Sequence, residues 1–137
     1  MKALTLTQPW ASLVALGFKR VETRSWATRY RGPLAIHAAK GFPAWARQFA
    51  EEERAIGRLP ARLPFGAVIC TVELIGCCPA QDVALEVSGL ERHLGDFTWG
   101  RWAWLFEPES LRVLEEPIAA KGSLGLWEMA LLPDAQA

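Results

Sequence analysis

The octapeptide GFKRVETR, residues 17 to 24, places Lys19, Arg20 and Arg24 around the single carboxylate Glu22. A carboxylate next to a lysine stabilises the ammonium form, which suits Lys19 to clamp a phosphate or polarise an oxygen rather than to take a proton at neutral pH. Arg24 adds a fork of donors that matches phosphate or a base edge. Glu22 then acts as a positioner. The plain structural alternative is that Glu22 neutralises two cations held together in a partly buried place, and both roles can hold at once.

Other residues could complete such a site. Glu73, inside FGAVICTVELIGC, is either an outward strand residue or a carboxylate aimed at the cleft, where it would serve with Lys19 and Glu22 in acid–base catalysis. His37, in LAIHAAK, is either a satisfied core or rim histidine or a ligand contact. Thr23 and Ser25 carry hydroxyls, but with no base in register they read as strand residues. Seven tryptophans accompany one tyrosine, and Trp10, Trp26 and Trp127 are the candidates to stack a base. Trp10 opens a helix whose amides could meet an anion. Lys121 and Ser123, in a glycine-punctuated loop, could add a phosphate contact, and Arg29 and Arg31 could extend the basic surface.

The elements that must position these residues follow from hydrophobic spacing. Ala3 to Leu6 reads as a strand. Pro9 suits the first position of a helix whose apolar face is Trp10, Leu13, Val14 and Leu16, and Gly17 caps it. From Phe18 the pattern alternates as a strand does, which would put Lys19 and Glu22 on opposite faces unless Gly17 and Phe18 form a turn. A second strand centres on Leu34 to Ala38. Pro43 opens a helix that runs to Gly57, with Glu51 to Glu53 on its solvated face. Residues 65 to 77 form the most buried strand, residues 80 to 95 a loose helix or loop, and WAWLFEP and LRVLEEPI two further strands. LWEMALL closes the chain as a strand. Five or six strands with two or three helices, no βαβ regularity and no repeat predict an α+β fold, a small β-barrel with flanking helices, as a single domain over residues 1–137.

Composition narrows the function. Lys plus Arg and Asp plus Glu both number 15, yet residues 1–40 hold seven of the cations against one carboxylate, so one end of the sequence can attract phosphate if the fold gathers it on one face. Cys70, Cys77 and Cys78 have neither an even count nor CxxC spacing, which predicts no disulfide framework, no metal site and a cytoplasmic location. Gln8 and Pro9 interrupt the apolar start, so it reads as structure rather than a leader, and no run is long enough to cross a bilayer.

Gly17, Lys19, Glu22 and Arg24 match the pattern GxKxxExR, and this resembles the signature of the ASCH domain, a family similar in fold to the PUA RNA-binding domains. The QPWASLV helix before it and the PIAAKGSLGLWE segment near the end look like one bacterial and phage branch of that family. The resemblance implies a PUA-like barrel over a positively charged cleft, with the motif at its floor and RNA or a modified nucleoside as ligand. Some relatives are small amidohydrolases that deacetylate a modified cytidine with a lysine, a threonine and a glutamate. Lys19 matches that lysine, but Glu22 stands where the threonine falls. Three functions are therefore carried forward: a binding module for RNA or a modified nucleoside, a small hydrolase without cofactor, and a protein-interaction adaptor, with homodimer formation left open.

Overall fold

The computed structural model describes residues 1–130. In chain order the elements are β1 (Lys2–Leu6), α1 (Trp10–Ala15), β2 (Val21–Arg24), β3 (Gly32–Ala38), α2 (Ala44–Ala55), β4 (Ala67–Pro79), α3 (Ala80–Val83), α4 (Gly89–His93), β5 (Trp102–Ala119) and β6 (Leu126–Glu128). The six strands make one sheet, ordered β2-β5-β4-β3-β1-β6 and curled into a half-barrel. Only β1 and β3 run parallel, and the other neighbours are antiparallel. This is the expected α+β architecture, with α3 and α4 as the two short helical turns inside residues 80–95.

The sheet bends where its pairing slips. Register shifts interrupt β3–β4 between Ile36 and His37, and β4–β5 at three places. Each leaves extra residues on one strand and increases local twist, which is how a sheet of this length curls. The same slips explain why WAWLFEP and LRVLEEPI, read as two strands, are one strand of 18 residues. Pro108 lies between the pairs Glu73–Glu107 and Thr71–Arg112, and Pro117 lies before Val68–Ile118, so both prolines sit where no ladder hydrogen bond is required of them. Ser110 takes over at the first bulge: its hydroxyl accepts from Glu73 N at 2.7 Å and donates to Glu107 O at 2.6 Å.

Inside the curl, Leu4, Leu6, Val14, Leu34, Ile36, Val72, Leu74, Trp104 and Phe106 form the main core, with α1 packed over it. A second apolar cluster joins α1 to α2 through Leu13, Ala50, Leu59 and Leu94. Fully burying side chains of this size contributes about 1.5–3 kcal/mol each, which makes these two clusters the main anchors of α1. Trp26 belongs to the core as well, edge-on to Trp104 at 4.7 Å, so it is a packing residue and not the stacking surface expected of it.

Two expectations about α1 and α2 need correction. Most amides at the start of α1 are already taken: Ala11 N bonds to Thr7 O at 3.4 Å, the buried Gln8 side chain accepts from Ser12 N at 2.9 Å, and the Leu13 amide bonds to Pro9 O. Pro9 is the N-cap, with Trp10 the first helical residue. On α2, Glu51 and Glu52 are exposed but Glu53 is buried, held by Arg58 and His93. The part of LWEMALL beyond residue 130 lies outside the described residues.

Candidate ligand-binding site

Gly17 decides how the octapeptide is presented. At φ +84° it takes a left-handed turn that only glycine adopts without strain, and the amides of Phe18 and Lys19 both fold back onto Leu13 O at 3.0 Å. Lys19 and Arg20 therefore precede the strand, which starts at Val21 rather than Phe18. Released from strand alternation, Lys19 turns to the side that Glu22 and Arg24 share at spacing two. Lys19 Nζ lies 3.6 Å from Glu22 Oε1, and Arg24 Nε 3.2 Å from Glu22 Oε2.

Burial makes this network more than a surface pairing. The Lys19 side chain is 1% exposed and donates to Leu94 O at 2.9 Å. Arg24 Nη2 donates to Thr5 O at 2.6 Å, reaching from β2 to the end of β1. The Nε–H groups of Arg24 and Arg101 are buried without a hydrogen-bond partner: Arg24 Nε lies 3.2 Å from Glu22 without the alignment for a bond, and Arg101 Nε lies 3.7 Å from Asp96, too far for one. A buried donor left unpaired costs about 1–3 kcal/mol, so both have something to gain from an acceptor.

The other half of the site comes from α4 and the residues after it. Glu91, buried on α4, accepts from the amides of Arg20 at 2.9 Å and Val21 at 3.3 Å and so fixes the backbone of the motif. Burial raises the Glu91 carboxyl above its ordinary range, against the lowering effect of those amides and of Lys19. Ser88 caps α4 by accepting from Glu91 N at 3.1 Å. Asp96 N donates to Thr23 Oγ1 at 3.0 Å, so Thr23 is a structural acceptor rather than a nucleophile. The Asp96 carboxyl is held low by the hydroxyl and amide of Thr98, opposed by burial and helped by Arg101.

These residues enclose a hollow of about 450 Å³, with Lys19, Glu22 and Arg24 on its floor and Trp10 and Trp45 on its wall. Trp10 stacks on Phe49 at 5.0 Å and meets Trp45 at 5.5 Å, and Phe49 tilts over His93 at 5.3 Å, so one side of the hollow is a run of aromatic rings. His93 Nε2 donates to Glu53 Oε2 at 3.0 Å, while Arg58 holds the same carboxylate through both oxygens at 2.7 and 3.3 Å. Burial alone would raise the Glu53 carboxyl, but the Arg58 and His93 bonds outweigh it and hold it below its usual value.

Of the residues singled out in the sequence, Trp10, Lys19, Glu22 and Arg24 come together here. His37 does not, and the imidazole of this hollow is His93. His37 and Lys121 line a second hollow, described below, while Arg29 and Arg31 sit on the β2–β3 loop, exposed and outside both. Trp127 donates to Thr5 Oγ1 and meets the His37 ring edge-on at 5.4 Å, and it lines neither hollow. Glu73 is half-buried on β4 and acts on Tyr30, whose phenol is pushed up first by burial and then by the Glu73 charge; it does not reach the Lys19 hollow. The hollow also has three cations, Lys19, Arg24 and Arg101, against two carboxylates, Glu22 and Asp96, so the strongly positive cleft expected is nearly self-neutralised.

Thr5, Trp45, His93, Asp96 and Arg101 had no part in the sequence argument. Trp45 and Phe49 carry a faint signal, two aromatics one helical turn apart. Cys70, buried with its thiol pushed up to about 12, has no nucleophilic role. Among the described residues no three His, Cys, Asp or Glu side chains are placed to hold a metal ion, and no helix is long and apolar enough to cross a membrane.

A family model described as the ASCH domain matches residues 4–112, from β1 into the second half of β5. The chain belongs to the ASCH domain family. This ASCH domain is 42% identical over 82 residues to activating signal cointegrator 1 of Homo sapiens, and equally to that of Mus musculus. Those matches cover 54% of this chain and 14% of each of the longer proteins. In fold it is similar to the crystal structure of ASCH from Zymomonas mobilis, with TM-score 0.56 at 15% identity over 98% of this chain and 89% of that one. A mutant form of the same Zymomonas protein gives 0.50 at 16% identity over 86% and 74%.

Proposed function

We propose that this ASCH domain binds RNA or a modified nucleoside by taking one base into the hollow above Lys19. The observation that carries the reading is the convergence of Lys19, Glu22 and Arg24 beneath the rings of Trp10 and Trp45, in a hollow of about 450 Å³. A volume in that range, an aromatic wall and a few fixed polar groups are what a small planar ligand requires. Stacking on an aromatic wall contributes about 1–3 kcal/mol per base. Lys19, with its charge held by Glu22, and Arg24 present donors to the base edge, and the near balance of charge favours an uncharged ring over a bare phosphate. The reading needs one copy of the chain, and its three free thiols suit the cytoplasm.

Titrating nucleosides and short RNA against the tryptophan fluorescence tests it. Quenching that saturates, and that Lys19→Met abolishes while the protein stays folded, is the expected result; no quenching by any ligand at low salt refutes it.

Hydrolysis of the bound ligand is favoured by one observation, His93 at the hollow with its ring fixed by the buried Glu53. In this reading Nε2 stays bonded to Glu53, Nδ1 is the ring nitrogen that takes a proton, and Lys19, which lines the same hollow, is the oxyanion partner. Incubation with acetylated cytidine and with labelled RNA, next to His93→Ala, decides this: turnover lost in the variant supports it, and turnover absent from the parent ends it.

A further inference from the structure

Beside the motif hollow lies a second one of about 950 Å³, and Thr5 at the end of β1 lines both. Its floor is a closed polar chain. Trp127 Nε1 donates to Thr5 Oγ1 at 3.0 Å, and the Thr5 hydroxyl lies 3.1 Å from His37 Nδ1. His37 Nε2 lies 2.7 Å from Ala120 O, which can only accept, so Nε2 carries the proton and Nδ1 accepts from Thr5. That chain fastens the loop after β5 against β1 and β3. Gly122 lies so close that a Cβ there would stand 2.7 Å from Thr5 Oγ1 and 2.8 Å from the His37 ring. The floor is rigid and its polar atoms are already used.

What this hollow offers a ligand is on its rim. Lys40 and Lys121 are both exposed, neither has an acidic partner among the described residues, and no carboxylate lines the hollow. Phe65, tilted against Phe42 at 5.0 Å, presents an aromatic surface, and Leu124 is 98% exposed. The two hollows thus differ in kind: the first neutralises its own cations and is walled by rings, the second keeps two cations free above an apolar bed. An extended polyanion with planar side groups fits that sequence of surfaces.

We infer that the second hollow receives the phosphate and the neighbouring base of a strand whose first base occupies the motif hollow, so that the ligand is a single-stranded oligonucleotide. This rests on the base-binding reading of the motif hollow and goes beyond it in excluding a free nucleoside as the full ligand. Lys40 and Lys121 take the phosphate, Phe65 supports the neighbouring base, and Thr5 marks the crossing between the subsites. A peptide partner is disfavoured because an apolar bed rimmed only by lysines, continuous with a base pocket, matches a nucleic-acid backbone better than a mixed protein surface.

The test compares nucleosides with a pentameric RNA, the DNA pentamer of the same sequence, and polyglutamate, on the parent, on the Lys40→Glu, Lys121→Glu double variant and on its Lys→Arg counterpart. The RNA pentamer is expected to bind at least about tenfold tighter than any nucleoside, as added phosphate contacts require. Charge reversal removes that gain and lowers the salt slope by about 1.4, two contacts at about 0.7 each on a single strand, while nucleoside binding is unchanged. The arginine variant keeps both. DNA bound as well as RNA supports the subsite for either backbone, and weaker DNA binding supports it for RNA. A pentamer no tighter than a nucleoside, charge reversal without effect, or polyglutamate bound as tightly as RNA overturns the inference. If nucleosides fail to bind as well, the reading of the motif hollow falls first, and the nucleoside arm shows which of the two has failed.

Discussion

The two hollows that meet at Thr5 solve opposite electrostatic problems. In the motif hollow Glu22 stands between Lys19 and Arg24, and Asp96 beside Arg101, so cations are present but already matched. In the second, Lys40 and Lys121 meet no carboxylate among the described residues. Buried charges must be compensated where they stand, whereas exposed ones can remain unmatched at little cost. The comparison teaches that attraction over distance and recognition at contact need not come from the same residues, even when both are lysines and arginines.

Removing the compensation should disturb only the first hollow. Glu22→Gln leaves Lys19 and Arg24 partly buried without their carboxylate, and we expect a loss of about 3 kcal/mol, seen as a fall of roughly 10 °C in Tm by calorimetry. The surviving protein should gain affinity for nucleoside monophosphates, making the first hollow resemble the second. A melting temperature within 2–3 °C of the parent, roughly the effect of under 1 kcal/mol, refutes the network's role.

Next in size is Glu53→Gln, which frees the His93 ring at one wall of the motif hollow and should cost about 2 kcal/mol at pH 7. The folded-state pKa of Glu53 is depressed, so its stabilisation is complete above the unfolded value near 4.5 and disappears as pH falls through the lower folded value. The gap between urea melts of parent and variant should therefore start to shrink as pH falls below the unfolded value near 4.5, while a gap that stays constant on further acidification contradicts the assignment.

Trp10→Ala should weaken nucleoside binding by about 1–2 kcal/mol and leave the salt slope of oligonucleotide binding intact, because stacking carries no counterion term. Smaller still, Gly122→Ala should cost about 1 kcal/mol through contact with Thr5 and His37, and should impair oligonucleotides but not nucleosides. Glu73→Gln, far from both hollows, should change Tm and binding within about 0.5 kcal/mol of nothing. A large loss of binding there returns Glu73 to the site.

What could be read from the sequence was what local chemistry decides. Gly17 announced its own turn, and that turn is why Lys19 meets Glu22 and Arg24 instead of facing away from them. The prolines of β5 misled because proline's missing donor matters only where a ladder bond is due, and the slips against β4 remove that demand at Pro108 and Pro117. Glu53 was illegible for a different reason. Its neighbours Glu51 and Glu52 are solvated, and only Arg58 and the distant His93 make its burial tolerable. The α4 half of the site, from Glu91 to Asp96, is bonded to motif residues 70 to 73 positions away along the chain, and no periodicity in a single sequence records such a pairing. His37 was rightly placed in a strand, but the strand delivers it to the neighbouring hollow.

One side chain holds the seam of this molecule. β2 is an edge strand joined to the sheet through β5 alone, and the Arg24 guanidinium ties it across the open side of the curl to Thr5. Whatever engages Arg24 from the solvent thus leans on a latch, and tightening it should slow amide exchange along Val21–Arg24 before any other strand responds. Occupancy would be felt as resistance to unzipping at one free margin of the sheet.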